Sequence, residues 1–214
     1  MSIQVQQNYY FKEKYASMER FISYFQQVNG IHRFHARSLL FIGVGDGMVV
    51  NFLKNIYQVT TMDIDPALKP DKLGDVRQMP FKDGSFDLVC AFEVLEHIPL
   101  VDVENRAIQE IARVSREMAI ISVPHRRTGF EIVFKFPFIK TLLKRDFLRL
   151  AWFVPVKFPG FAISGQHHWE IDGWTTSLKH FRSILSKNFN IIEEKTSPLD
   201  SYRHFFSLKK KWPH

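Results

Sequence analysis

The chain has 214 residues, 45% of them hydrophobic and 24% charged. That is enough for one well-cored globular unit and too little for two, and it excludes a disordered or fibrous chain. The net charge of +7 points to anionic partners, and the single cysteine, Cys90, excludes an internal disulfide framework.

Residues 9–28 predict a helix, because Tyr15, Met18, Ile22 and Phe25 recur at helical spacing and Gly30 offers a stop. This helix packs on a core, or acts as a lid in which Tyr9, Tyr10 or Phe11 closes over a ligand. The polar start Met1–Asn8 lacks the apolar centre of a signal peptide. No apolar run reaches the ~18 residues of a spanning helix. A cytoplasmic protein, with Cys90 as a small buried hydrophobe, is the expectation.

Ser38–Ile42 reads as a buried strand, followed by Gly43, Gly45 and Gly47 and then by a helix near 46–55. Glycine suits a turn that must close tightly on a ligand or take positive φ. The spacing is G-x-G-x-G. Met48 occupies the third glycine position of the dinucleotide fingerprint, so NAD is not expected and an adenosyl ligand without phosphates fits better. A second strand, near 58–63, ends at Asp63, about 20 residues past the first glycine, where a carboxylate can bind ribose hydroxyls.

Further strands are expected near 72–75, 86–92 and 118–123, with a helix near 102–116. This alternation predicts parallel strands joined by right-handed crossovers in a three-layer α/β sandwich. Gly43, Asp63, Asp75 and Glu93 all fall at or near predicted strand ends, where such sheets bind ligands. After Pro124 the alternation breaks for some 40 residues. A helix from Asp172 to about Lys187 and two strands, Phe189 to Glu194 and Arg203 to Leu208, complete the chain.

The glycine turn, Asp63, the run Asp75-Val76-Arg77-Gln78-Met79-Pro80-Phe81 and the run Asp83-Gly84-Ser85-Phe86-Asp87-Leu88-Val89 occur in an order that resembles the class I S-adenosylmethionine-dependent methyltransferases, especially the small-molecule branch. The resemblance is good over 36–125 and looser beyond. It implies one Rossmann-like methyltransferase domain over 1–214, with a mostly parallel seven-stranded sheet and an antiparallel C-terminal hairpin strand. Its parts would be a lid at 9–28, a donor-binding core at 36–125, an acceptor-side insertion at 126–163 and a C-terminal helix and hairpin at 164–214. It also implies S-adenosylmethionine as cofactor. Gly43, Gly45 and Gly47 would wrap its methionine and ribose parts, Asp63 would accept from the ribose hydroxyls, and Asp75 with the Val76 backbone would read the adenine, with Val44, Ile64 and Phe92 also among the donor-binding residues. Phe41 departs from the pattern, because relatives usually have an acidic residue there.

The pentad Glu93-Val94-Leu95-Glu96-His97, read as the start of a helix, places Glu93, Glu96 and His97 on one face. Relatives acting on small RNAs or quinone precursors hold a metal on such a set together with a later histidine. Others use it only to shape the pocket, and no metal is the expectation here. His97 is the candidate general base. His167, within Gly165-Gln166-His167-His168-Trp169-Glu170-Ile171, is the candidate acceptor-side residue, with His125 and His168 in reserve and Trp169 as a loop anchor.

Between 126 and 163 eight basic residues face two acidic ones, so this stretch supplies +6 of the net charge, together with eight phenylalanines and Trp152. Such a segment suits an amphipathic acceptor, lipid-linked or glycan, or docking on an anionic membrane. The function expected is methyl transfer to an oxygen or nitrogen of such a small molecule. The alternatives are an RNA methyltransferase, for which no separate RNA-binding module is visible, or a donor-binding protein without activity. No DNA partner is expected, and nothing in the sequence fixes an oligomeric state.

Overall fold

The computed structural model describes residues 7–136, 138–143, 147–155 and 166–211. Among them the strands are β1 (Ser38–Ile42), β2 (Gln58–Asp63), β3 (Lys72–Leu73), β4 (Phe86–Phe92), β5 (Ser115–Pro124), β6 (Arg127–Phe134), β7 (Leu148–Pro155), β8 (Phe189–Ser197) and β9 (Asp200–Lys210). Seven of them form one sheet in the order β3-β2-β1-β4-β5-β9-β8. β1 to β5 run parallel, and β9 lies antiparallel to both β5 and β8. The expected seven-stranded sandwich is therefore present.

The helices are α1 (Gln7–Tyr10), α2 (Met18–His32), α3 (Met48–Leu53), α4 (Leu100–Asp102), α5 (Ile108–Val114), α6 (Ile139–Leu143) and α7 (Leu178–Leu185), with a π-helical stretch Val103–Ala107 between α4 and α5. Leu40, Ile42, Val89 and Ile121 face α5 and α7, meeting Ile108, Ile111, Phe181 and Leu185. Leu39, Phe41, Leu88 and Cys90 face α2 and α3, meeting Ile31, Val49, Val50 and Leu53. Strands covered on both faces need continuous apolar runs, which is why β1 and β4 show no alternation. The order reverses between β1 and β4, so the ligand crevice lies at their carboxyl ends.

The N-terminal region departs from the single helix expected over 9–28. Ser17 ends a break by accepting the Arg20 N–H and caps α2, which runs through Gly30 to His32. Gly30 is thus an interior position and not a stop. The covered face of α2 is Ser23, Gln27, Gly30 and Ile31, whereas Met18 and Phe25 are 63% and 64% exposed. A Cβ on Gly30 would meet Ile120 at 3.7 Å, an ordinary contact. Gly30→Ala is therefore expected to stabilise the fold by about 0.5–1 kcal/mol in urea denaturation.

β6 and β7 stand outside the main sheet as an antiparallel pair, where no regular structure was foreseen. Trp169 is fully buried against Phe181 and donates its Nε1–H to the Ile98 carbonyl at 3.1 Å, the anchoring role expected of it.

Candidate active site

β1 delivers Gly43, Gly45 and Gly47 into left-handed backbone, with φ of 83°, 59° and 77°. Gly43 is pinned to the neighbouring strand, because its N–H donates to Met62 O at 2.9 Å. Gly47 serves as the N-cap of α3. Asp63, at the end of β2, accepts the Val44 N–H at 2.7 Å on one oxygen and the Asp65 N–H at 2.9 Å on the other. The carboxylate thus sets the shape of the glycine turn while keeping lone pairs for a further donor.

A cavity of about 650 Å³ opens at these strand ends, within the size range of small-molecule sites. Gly43, Gly45, Asp63, Ile64, Asp75, Val76, Phe92, His97 and His167 all line it. Val44 and Gly47 do not. The first acts through its N–H to Asp63, and the second shapes the turn from behind.

Tyr9 and Tyr10 line the cavity and Phe11 does not, so two of the three lid candidates are placed there. Tyr10 lies 4.0 Å from where a Gly45 Cβ would be. Tyr9, Tyr10 and Tyr15 pack edge to face, and the Arg20 guanidinium covers the Tyr15 ring at 4.2 Å. Burial pushes the Tyr10 hydroxyl well above its ordinary value, so it stays a neutral donor.

Asp75 lines the cavity with its carboxylate already engaged. It accepts the Arg77 backbone N–H at 2.9 Å and the Arg77 Nε and NH2 groups at 3.1 and 2.8 Å, while Arg77 NH1 reaches Asp102 at 2.7 Å. Burial pushes the Asp75 carboxyl up, but the Arg77 side-chain and backbone hydrogen bonds outweigh it and hold the carboxyl below its usual range.

Glu93, Glu96 and His97 do not share a helix face as expected. Glu93, the residue after β4, has φ of 53°, and only a short 3₁₀ turn, Leu95–His97, follows. That left-handed backbone costs a non-glycine residue roughly 1–3 kcal/mol. Glu93 accepts the Ser122 hydroxyl at 2.9 Å and lies 3.7 Å from Arg203 Nε. The group brought together instead is Glu96, His97 and His167, with one ligand atom of each within 4.8 Å of the others. Both Glu96 oxygens are buried without a hydrogen-bond partner, and burial, reinforced by the Glu93 charge, raises its carboxyl well above normal. A protonated Glu96 or a divalent cation would each relieve that burial.

His97 donates from Nδ1 to the Gln166 carbonyl at 2.8 Å, which leaves Nε2 as its basic nitrogen. Burial lowers its pKa below the ordinary 6.5, outweighing the Gln166 hydrogen bond. His167 is anchored in the same way, through Nδ1 on Glu170 Oε1 at 3.1 Å, and Tyr202 donates to that oxygen at 2.7 Å. His168 also lines the cavity, held by its N–H on Glu96 O. His125 does not: it is buried between His204 and Asp172, at 2.8 Å from each. The sequence reading missed Tyr15, Arg20, Tyr202 and Arg203. Tyr202 and Arg203 carry no local motif, because only the antiparallel pairing of Pro124 with Arg203 brings that part of β9 to the cavity.

Residues 40–123 match the methyltransferase domain family. Among solved structures, the chain is similar to the PH0226 protein of Pyrococcus horikoshii OT3, with a TM-score of 0.61, 13% identity, and 97% of this chain covered against 100% of that one. It is also similar to the N-methyltransferase NodS of Bradyrhizobium japonicum WM9 in complex with S-adenosyl-l-homocysteine (0.59, 11%, 91% and 89%). A third similar structure is the magnesium protoporphyrin IX methyltransferase ChlM of Synechocystis PCC 6803, also with the demethylated donor bound (0.60, 14%, 95% and 92%). The match over residues 40–123 and these likenesses agree on the fold, which is that of the class I S-adenosylmethionine-dependent methyltransferases.

Proposed function

We propose that this enzyme transfers a methyl group from S-adenosylmethionine to an oxygen or nitrogen of an amphipathic small molecule, lipid-linked or glycan-bearing, at the surface of an anionic membrane. The observation that carries the reading is one cavity lined both by the glycine turn with Asp63 and by two imidazoles anchored through Nδ1. The donor-side residues fit an adenosyl ligand. Gly43 lines the cavity with bare backbone and packs too tightly on Val94 for a side chain, since a Cβ would fall 2.6 Å from it, and Asp63 retains acceptor capacity for ribose hydroxyls. When bound, the sulfonium supplies an electrophilic methyl group.

The chain's own residues position and deprotonate. Phe41 is buried against Phe92, and in place of the carboxylate missing from β1, Glu93, just past the end of β4, lines the cavity and suits the donor's amino group. Arg20, under the tyrosine cluster, suits the donor carboxylate. Tyr10 covers the turn and keeps water out. His97, neutral near pH 7, takes the proton from the acceptor, and His167 with Glu170 orients the acceptor from the facing loop.

Asp63→Ala tests the donor half. It removes an acceptor from the ribose and also frees the Val44 and Asp65 N–H groups. Calorimetry with S-adenosylhomocysteine is expected to show a loss of about 1–3 kcal/mol. Equal affinity in variant and wild type would remove Asp63 from the site. Turnover stimulated by RNA, in place of a lipid or glycan acceptor, would favour the nucleic-acid alternative.

A further inference from the structure

We propose that the β6–β7 hairpin is an insertion arm that seats one face in an anionic bilayer. The proposal rests on the reading above that the enzyme works at a membrane, and it gives that reading its contact surface. In the register of the pair, Phe130 faces Trp152, Ile132 faces Leu150 and Phe134 faces Leu148. Side chains two apart share a face, so these six form one continuous apolar surface, and they are 37–61% exposed. Phe136, Phe138, Leu142 and Leu143, between the two strands in the chain, are exposed as well. A monomeric protein seldom leaves so large a contiguous apolar patch uncovered.

The opposite face is held to the body of the protein, which fixes the direction in which the apolar face looks. Arg127 Nε donates to Ser201 O at 2.8 Å, and its guanidinium lies over the Phe153 ring. Glu131 accepts the Leu199 N–H at 3.0 Å and pairs with Arg149 at 2.9 Å, while Arg149 reaches Thr196 O at 3.3 Å. The arm is thus clamped on the β8–β9 turn. That turn leads directly into Tyr202 and Arg203 of the cavity.

Charge selects the occupant. The stretch 126–163 supplies +6 of the chain's net charge of +7. Arg127 and Arg149 are engaged on the clamped face, but Lys135 and Lys140 are exposed next to the apolar residues, so a second copy would meet like charge there, whereas anionic headgroups neutralise it. Lys135 and Lys140 border Phe136 and Phe138 in the chain, the position from which a long basic side chain lays its stem along hydrocarbon and its charge at headgroup depth. A two-stranded arm has edge N–H and C=O groups that hydrocarbon cannot satisfy, so insertion stops at interfacial depth.

The test uses the full chain with phosphatidylcholine vesicles and with vesicles containing phosphatidylglycerol, floated at low and high salt. The expected result is binding to the anionic vesicles, weakened roughly ten-fold by high salt. Lipids brominated near the headgroup should quench Trp152 more than deeply brominated ones, and Trp152→Phe should abolish that difference. Ile132→Ser combined with Leu150→Ser should weaken binding about ten-fold or more. If that variant fails to fold, Lys135→Glu with Lys140→Glu should give a comparable loss. S-adenosylhomocysteine affinity, measured on the same preparations, reports the methyl-transfer reading independently.

Absence of wild-type binding would overturn the membrane reading and the arm together. Wild-type binding that the variants retain in full would overturn the arm alone. A dimer dissolved by the apolar substitutions would assign the face to a second copy and overturn the proposal.

Discussion

Gly43→Ala is expected to weaken donor binding by about a hundred-fold, some 3 kcal/mol, the largest loss at the donor end of the cavity. The new Cβ would sit 2.6 Å from Val94 Cγ2, a distance that requires something to move. The turn cannot easily do so, because the Gly43 N–H is bonded to Met62 O at 2.9 Å. The backbone φ of 83° is also one that an L side chain tolerates poorly. Adding Val94→Ala should remove the clash and leave the backbone strain, so the double variant should recover only part of the affinity. Calorimetry with S-adenosylhomocysteine measures both, and thermal unfolding separates a local from a global effect. Unchanged affinity in Gly43→Ala would mean that the turn does not cradle the donor.

His97→Gln is expected to lower the methyl-transfer rate by roughly 10²–10⁴-fold, the range of a lost general base, with donor affinity unchanged. The pH profile gives the second readout. Burial depresses the His97 pKa below 6.5, so the neutral base predominates at pH 7 and is lost as pH falls through that lowered value. Wild-type kcat/KM should therefore show an acid limb below pH 6.5, and His97→Gln should lack it. A limb that persists in the variant would assign the base elsewhere, His167 being the other anchored imidazole in the cavity.

The donor half of the site was legible because its requirements are local. Positive φ at three glycines, an acid ending β2 and apolar runs for strands covered on both faces all leave marks within a few residues. The acceptor half depends on distant pairing. Tyr202 and Arg203 reach the cavity only because β9 lies antiparallel to β5, which no spacing in the sequence encodes. The pentad at 93–97 misled because helical spacing was assumed where Glu93 takes left-handed backbone. His125 looked available at the end of β5, yet the loop that brings Asp172 beside it encloses it.

The N-terminal helix shows a different gap. Periodicity finds an apolar stripe but not which side is covered, and here the covered side is Ser23, Gln27 and Gly30. The hairpin was within reach, since Phe130, Ile132 and Phe134 alternate at period two, but a basic stretch rich in phenylalanine hid the pattern in its composition.

Titrating S-adenosylhomocysteine and, separately, NAD into the wild-type protein tests the central claim most directly. The glycine turn, Asp63 and the position of Met48 predict saturable binding of the first at one site per chain, and no comparable heat or thermal shift with the second. Silence with S-adenosylhomocysteine, or equal binding of NAD, would contradict the assignment of the cavity to a methyl donor.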